Sequence, residues 1–163
     1  MRPVSQTPTE ATDYALLSAT YGLALAGTAM SGRGREPIPR AELPALAAAT
    51  FALSKLLVHE KAETWLRQPF VDEHPDGKRP KGRRLRYAIG ELLTCTRCTG
   101  AWTALAVVGL RLHAPATART VTSVLAVSAG NDLLQSGFSY LCSRTTTQER
   151  EAERLSAAPA RAA

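Results

Sequence analysis

Two cysteines that lie three residues apart are the strongest candidates for chemistry in this chain. Cys95 and Cys98 form a Cys-x-x-Cys motif within the segment Gly90–Trp102. On a helix this spacing places both sulfur atoms on one face. Two such thiols can supply half of a tetrahedral zinc site, or they can exchange with a disulfide as a dithiol. They can also be small residues that only pack between helices, and the spacing leaves all three interpretations open.

Two further side chains are predicted to reach this motif. Cys142 lies at the end of a polar stripe on a later apolar segment. His59 lies at the end of an earlier apolar segment. Antiparallel neighbouring helices bring the start of one beside the end of the next, so Cys95, Cys98, Cys142 and His59 form a candidate zinc site. Without metal, Cys95 and Cys98 would form a redox pair. In that case the helix N-terminus and Arg97 would lower the pKa of the Cys95 thiol.

Four mostly apolar segments must position these residues. Each approaches the roughly 20 residues that a helix needs to cross a hydrocarbon core of roughly 30 Å. The segments are Tyr14–Met30, Leu43–Val58, Leu92–Leu112 and Val121–Leu141. They predict an all-α fold, a four-helix transmembrane bundle with antiparallel up-down order and flexible termini. A soluble helical bundle that binds an anionic partner is the alternative.

The same pattern predicts the domain organisation. A flexible N-terminal tail (1–12) precedes a membrane domain (13–142), and a flexible C-terminal tail (143–163) follows it. Within the membrane domain, residues 68–87 read as a basic cytoplasmic loop, because prolines, glycines and six cations interrupt the apolar pattern.

The charge distribution predicts the orientation. Lys and Arg outnumber Asp and Glu by 20 to 14, for a net charge of +6. If the helices alternate, both termini and the basic loop share the side with most cations, which is the cytoplasmic side of a cell membrane. We therefore expect a multi-pass protein with cytoplasmic N- and C-termini. The loop cations expected to contact anionic lipid headgroups are Lys78, Arg79, Lys81, Arg83, Arg84 and Arg86.

A nucleic-acid partner is disfavoured, because Tyr87 is the only aromatic residue near these cations.

Two charges also interrupt the apolar segments. Lys55 and Asp132 would each cost roughly 2.5 to 3.5 kcal/mol at the centre of a membrane helix. Pairing would remove most of this penalty, so they are predicted to form an intramembrane polar pair.

The motif residues resemble a known family. Leu93, Cys95, Cys98, Gly100 and Trp102 form a Leu-x-Cys-x-x-Cys-x-Gly-x-Trp pattern. The segment around it, roughly residues 43–140, resembles the DUF1360 family (domain of unknown function 1360), which includes a Bacillus sporulation-associated member. Upstream, the resemblance extends to Glu60, Arg67 and Pro69. It implies a multi-spanning membrane protein with the cysteine motif as its hallmark, and it implies no reaction.

These patterns predict an integral membrane protein of unknown activity. We expect a scaffold or partner-binding protein, with a protein partner or a second copy, whose cysteine site is structural or holds zinc. The alternative is a membrane dithiol oxidoreductase that uses Cys95 and Cys98. No Ser/His/Asp order, phosphate loop or paired-carboxylate site supports an enzyme.

Overall fold

The structure, a computed structural model, describes residues 4–157. The chain is mostly helical and divides into two compact units, Met1–Ala126 and Val127–Ala163. The helices are α1 (Ala11–Ser31), α2 (Leu43–His59), α3 (Thr64–Arg67), α4 (Leu85–Thr94), α5 (Thr96–His113) and α6 (Pro115–Ala157). Short 3-10 turns lie at Val4–Gln6, Arg40–Glu42 and Lys61–Glu63. The strands are β1 (Val71–His74) and β2 (Gly77–Pro80).

The first two apolar segments fold as predicted, and the third does not. Leu92–Leu112 was expected to be one helix, but the helical backbone is interrupted at Cys95. That residue adopts an extended conformation, with φ of −115° and ψ of 106°. The segment is therefore divided between the end of α4 and the whole of α5, and the first cysteine lies at the junction.

Residues 68–87, predicted to be a basic cytoplasmic loop, contain regular secondary structure. β1 and β2 form an antiparallel hairpin in which Val71 pairs with Pro80 and His74 with Gly77. Gly77 has a φ of +126°, which only glycine adopts readily. Val71 is 2% exposed, so the hairpin buries an apolar side chain of its own. The last residues of the predicted loop begin α4.

Helices α2 and α5 pack antiparallel along their whole length. Near the middle of the two helices the Ser54 and Thr103 hydroxyls lie 2.7 Å apart, and both side chains are buried. At one end Arg111 donates two hydrogen bonds to the Glu42 carboxylate, at 2.5 and 3.0 Å. Small and polar residues thus form the interface between these two helices.

Helix α1 runs alongside α5 in the same direction. The rings of Tyr21 and Trp102 meet edge to face, with centroids 5.3 Å apart. Towards the helix ends, the Ser31 hydroxyl lies 3.1 Å from Nε2 of His113. Along α1 the only buried residue is Asp13. Most of the apolar surface of α1 therefore faces outward.

Large apolar side chains are exposed on several helices. Leu23 is 75% exposed and Met30 is 63% exposed on α1, and Phe51 is 47% exposed on α2. The helical segment Arg40–His59 is long and apolar enough to cross a membrane, and only 28% of its most apolar window is buried. It is the one such segment within residues 4–157. Four such segments were predicted.

The terminal segments are more regular than predicted. In the first unit, residues 4–12 include a 3-10 turn and the start of α1, and the Arg84 amide donates to the Pro8 carbonyl at 2.8 Å. In the second unit, α6 continues to Ala157, so residues 143–157 are helical where a flexible tail was expected. The rest of the two predicted tails, 1–3 and 158–163, lies outside the described residues.

Candidate dithiol site

The side chain of Cys95 caps the N-terminus of α5. Its sulfur accepts the backbone N–H of Cys98 at 3.3 Å, which is the bond that an N-cap side chain makes to the third helical residue. The same sulfur accepts the thiol of Cys98, with the two Sγ atoms 2.6 Å apart. Both cysteines are half-buried and carry free thiols. The two sulfur atoms are thus in direct contact, as the spacing predicted.

Backbone contacts hold the junction between α4 and α5 in place. The Thr99 amide donates to the Cys95 carbonyl at 3.0 Å, which begins the hydrogen bonding of α5. The buried Thr99 hydroxyl donates to the Leu92 carbonyl at 2.7 Å, back across the junction. The position of the Cys95 sulfur is therefore determined by both helices.

The surroundings of Cys95 favour its thiolate. Burial alone raises the pKa of a thiol, but the hydrogen bonds from the thiol and amide of Cys98 oppose this effect. The Arg97 amide and guanidinium also lower the pKa of the Cys95 thiol. The net result is a Cys95 pKa below its ordinary value, and a lowered thiol pKa is characteristic of reactive cysteines.

We expect Cys95 to be alkylated at lower pH than an ordinary thiol. In a Cys142→Ser background, the rate of iodoacetamide modification of Cys95 should follow its thiolate fraction, because only the thiolate reacts. Peptide mass spectrometry against pH gives the midpoint, which should lie below the ordinary thiol pKa. Arg97→Gln should raise this midpoint. Arg79 is an exposed cation on the hairpin, and Arg79→Gln should leave the midpoint unchanged. An ordinary midpoint in the parent protein would contradict the lowered pKa.

A cavity of about 450 Å³ lies beside Cys98, which forms part of its lining. Its lining is mostly apolar, with the hydroxyl of Tyr14 hydrogen bonded to the carboxylate of Glu91. The lining residues are Val4, Tyr14, Leu17, Ser18, Tyr21, Ala88, Glu91, Leu92, Cys98, Ala101 and Trp102. A carboxylate therefore lies in the same cavity as the second thiol. The sequence did not indicate this, because Tyr14 is 77 residues from Glu91.

Three of the four predicted zinc ligands, Cys95, Cys98 and His59, belong to the first unit. His59 lies beside the motif, with its Nε2 3.1 Å from the Thr96 hydroxyl. Cys142 is an exposed residue of the second unit. Within residues 4–157, no group of three or more His, Cys, Asp or Glu side chains is arranged to hold a metal ion. The four-ligand zinc site stays a prediction, and the sulfur contact between Cys95 and Cys98 is what the structure provides.

The two residues of the predicted intramembrane polar pair belong to different units. Lys55 forms an ion pair with Glu60, at 3.8 Å between Nζ and Oε1. Asp132 belongs to the second unit. The pairing of Lys55 with Asp132 therefore stays a prediction.

A comparison with known proteins indicates the same family as the cysteine motif. A family profile described as "Protein of unknown function (DUF1360)" matches residues 45–138, more than half of the chain. The chain belongs to the DUF1360 family. This confirms the resemblance drawn from the motif around Cys95 and Cys98. No curated protein and no solved structure matches the chain.

In this DUF1360 protein, the matched residues include both cysteines of the motif but neither Cys142 nor α1. The carboxylate of Glu91 lies inside the matched range, while its hydroxyl partner Tyr14 lies outside it. The cavity beside Cys98 is thus completed by a helix that the family profile does not cover.

Four of the six cations in residues 78–86 of this DUF1360 protein make contacts within the fold, although Arg84 and Arg86 are themselves exposed. Lys78 donates to the Val58 carbonyl, and Lys81 forms an ion pair with Asp72 at 3.0 Å. Arg84 pairs with Glu10 and Asp13, and Arg86 donates to the Pro69 carbonyl at 2.8 Å. Arg79 and Arg83 are exposed. Contact of these six cations with anionic lipid headgroups stays a prediction.

Arg67 is the most constrained cation of the first unit, with 1% of its surface exposed. Its guanidinium donates to the carbonyls of Leu57 and Glu60, each at 2.8 Å, at the end of α2. It also donates to the Glu73 carboxylate on β1 at 2.8 Å, and this bond lowers the pKa of Glu73. Arg67 thus connects α2 to the hairpin. The sequence indicated this residue only through its match to the family.

Proposed function

We propose that this DUF1360 protein is embedded in a membrane and transfers electrons through a Cys95/Cys98 dithiol. The observation that carries the proposal is the contact between the two sulfur atoms at the N-terminus of α5. Cys95 provides the more acidic thiol, and Cys98 lies within reach to complete an exchange reaction. The oxidant or reductant is a disulfide or dithiol of a partner molecule.

The exchange proceeds in two steps. The Cys95 thiolate attacks one sulfur of the partner's disulfide, which breaks that S–S bond and releases the other partner sulfur as a thiolate. Cys98 then loses its proton and attacks the Cys95 sulfur of the mixed disulfide, which releases the second partner thiolate. The dithiol is oxidised to a disulfide, and the partner is reduced by two electrons and gains two protons. The reverse sequence oxidises a partner dithiol.

The distribution of side chains supports the membrane setting. Buried positions on α2 and α5 include the hydroxyls of Ser54, Thr99 and Thr103, whereas exposed positions on α1 and α2 include Leu23 and Phe51. Large apolar residues outside and small polar residues inside suit helices surrounded by lipid. In water, such an exposed apolar surface would favour aggregation or a partner. The helix within Arg40–His59 supplies the clearest span.

The proposed topology is the multi-pass arrangement expected from the charge distribution, with both termini in the cytoplasm. Membrane embedding is tested by extraction of native membranes with alkaline carbonate. The protein should stay in the membrane fraction, and its recovery in the soluble fraction would refute embedding. Reporter tags at the two ends should both report the cytoplasm, and tags on opposite sides would refute the topology.

The dithiol is tested by equilibration of the detergent-purified protein in glutathione redox buffers. We expect a reversible Cys95–Cys98 disulfide, detected by maleimide labelling of the remaining thiols. Cys98→Ser should accumulate a glutathione adduct on Cys95, because the resolving thiol is missing. Cys142→Ser is the matched control and should behave like the parent protein. Thiols that stay reduced in oxidising buffer would refute the proposal.

The zinc interpretation predicts a different outcome in the same preparation. A structural zinc site would give about one zinc per chain by metal analysis, lost in the Cys95→Ser variant. Such a result would replace the dithiol proposal by the metal-binding one. We expect no stoichiometric zinc, because the sulfur atoms contact each other.

A further inference from the structure

The cavity beside Cys98 is a feature of the first unit that exchange with a partner disulfide does not use. Side chains of α1, α4 and α5 surround it. Its volume of about 450 Å³ falls within the range of roughly 300 to 1,000 Å³ that is typical of small-molecule sites. Ser18 and Ala101 belong to its lining and are exposed, so a ligand can enter from outside. The cavity therefore suits a small molecule rather than a protein partner.

The lining favours a neutral, apolar molecule with a planar ring. Tyr21 and Trp102 contribute two aromatic rings, against which a further ring can pack. Leu17 and Leu92 add aliphatic surface. Among the lining residues, all of which lie within the described residues 4–102, there is no Lys or Arg. The phosphates of a flavin or nicotinamide nucleotide would therefore be buried without a counter-charge, which is costly.

One carboxylate in this cavity is placed to accept a proton from a ligand or a thiol. Glu91 is half-buried and accepts the hydroxyl of Tyr14. Tyr14 in turn accepts the hydroxyl of Thr9 at 3.2 Å, which fixes the position of the phenol. A carboxylate has about four acceptor positions, and the bond from Tyr14 uses one of them. Glu91 is therefore able to bind a further donor inside the cavity.

We propose that this cavity binds a lipid-soluble quinone, which oxidises the Cys95/Cys98 dithiol. A quinone is neutral, planar and apolar. It takes up two electrons and two protons, as many as a dithiol releases when it forms a disulfide. The ring packs against Tyr21 and Trp102, with one of its oxygens towards Glu91. This assignment rests on the proposed dithiol function and gives it a direction, the oxidation of a partner dithiol.

The transfer begins at Cys98, because Cys98 lines the cavity and Cys95 does not. The Cys98 sulfur bonds to a ring carbon while Glu91 takes the thiol proton and passes it to the ring oxygen that receives the electron pair. The Cys95 thiolate, in contact with Cys98 at 2.6 Å, then attacks the Cys98 sulfur. The S–S bond forms, the C–S bond breaks, and its electron pair stays on the ring. A proton from water completes the hydroquinone and replaces the one that Cys95 had lost on ionisation.

Binding is measured separately from the chemistry, by quenching of Trp102 fluorescence with decylubiquinone in mild detergent. The chain has two tryptophans, and Trp65→Phe removes the other, which is exposed on α3. In that background with Cys98→Ser, in which no disulfide forms at the motif, we expect saturable quenching. Ala101→Phe should weaken binding by about tenfold or more, because the added ring would occupy the cavity. Ala106→Phe is the matched control, since it places the same ring at an exposed position of α5 outside the cavity.

Electron transfer is measured with the reduced protein, in which both cysteines of the motif are present. Decylubiquinone should be reduced in proportion to the protein, as followed by its ultraviolet absorbance, and maleimide labelling should show loss of both motif thiols. Glu91→Gln should still quench Trp102 but should slow reduction by about a hundredfold, because the proton acceptor is missing. Asp76→Asn is the matched control, an exposed carboxylate in the turn of the hairpin, and should change neither measurement.

The possible failures are distinguishable. Equal quenching in the Ala101→Phe and Ala106→Phe variants would refute the cavity as the quinone site. Saturable quenching without reduction of the quinone would refute its role as oxidant, and an unchanged rate in Glu91→Gln would refute the proton transfer. If the quinone proposal alone is wrong, the Cys95–Cys98 disulfide still forms in glutathione buffers. If the dithiol function itself is wrong, the thiols stay reduced in those buffers as well.

Discussion

Arg67→Leu is expected to lower the free energy of unfolding by about 3 kcal/mol, within the range for removal of one partner from a buried charged network. The substitution leaves the carbonyls of Leu57 and Glu60 without the cation that binds them in the native structure. It also leaves the Glu73 carboxylate without its buried partner. Thermal and chemical unfolding in mild detergent, followed by circular dichroism, measures the change.

Arg79→Leu is the matched control for this prediction. It removes the same kind of side chain from an exposed position on β2, and such surface substitutions usually change stability by less than about 0.5 kcal/mol. Arg67→Lys should lie between the two, because an ammonium group cannot reproduce the planar set of donors. If Arg67→Leu unfolds like Arg79→Leu, the bonds from Arg67 do not stabilise the end of α2.

Gly90→Ala is expected to destabilise the protein by about 1 to 3 kcal/mol, the usual cost of overpacking a close contact. A Cβ at this position on α4 would collide with the Phe70 carbonyl oxygen and would lie 3.1 Å from Cα of Pro80. These are backbone atoms of the hairpin segment, so α4 itself would have to move. Because α4 ends one residue before Cys95, the substitution should also slow formation of the Cys95–Cys98 disulfide.

Gly109→Ala provides the comparison, since nothing lies within 4 Å of a Cβ built there. On the helical backbone of α5 this change should be neutral or stabilising by up to about 1 kcal/mol. Disulfide formation should be unchanged in this variant. A similar loss of stability in both variants would show that the contact at Gly90 is not the cause.

The helices α1 and α2 and the sulfur contact could be predicted because their signals are local. Mostly apolar segments, with Gly32 after α1 and Pro44 at the start of α2, indicate where these helices lie within a few residues. The spacing of Cys95 and Cys98 places their sulfur atoms together whatever the rest of the chain does. The family motif added Arg67, although its place in the structure depends on residues of α2 and β1.

The features that escaped prediction depend on contacts between distant residues or on unusual local chemistry. Tyr14 and Glu91 are brought together only by the packing of α1 against α4. The break at Cys95 was missed because cysteine is not among the residues that usually cap a helix. The hairpin was hidden by the charges of β1, where only Val71 is buried. The cations of its second strand were assigned to lipid, although Lys78 binds the end of α2.

Two carbonyl groups near the end of α2 are bound by side chains from later in the chain, Leu57 by Arg67 and Val58 by Lys78. The last turn of a helix normally frays by itself, because its terminal carbonyls have no partners within the helix. Here fraying of that turn requires release of Arg67 and of the strand that carries Lys78. We therefore expect local opening of this region to be cooperative, with the amide hydrogens of the last turn and of the hairpin in one exchange unit.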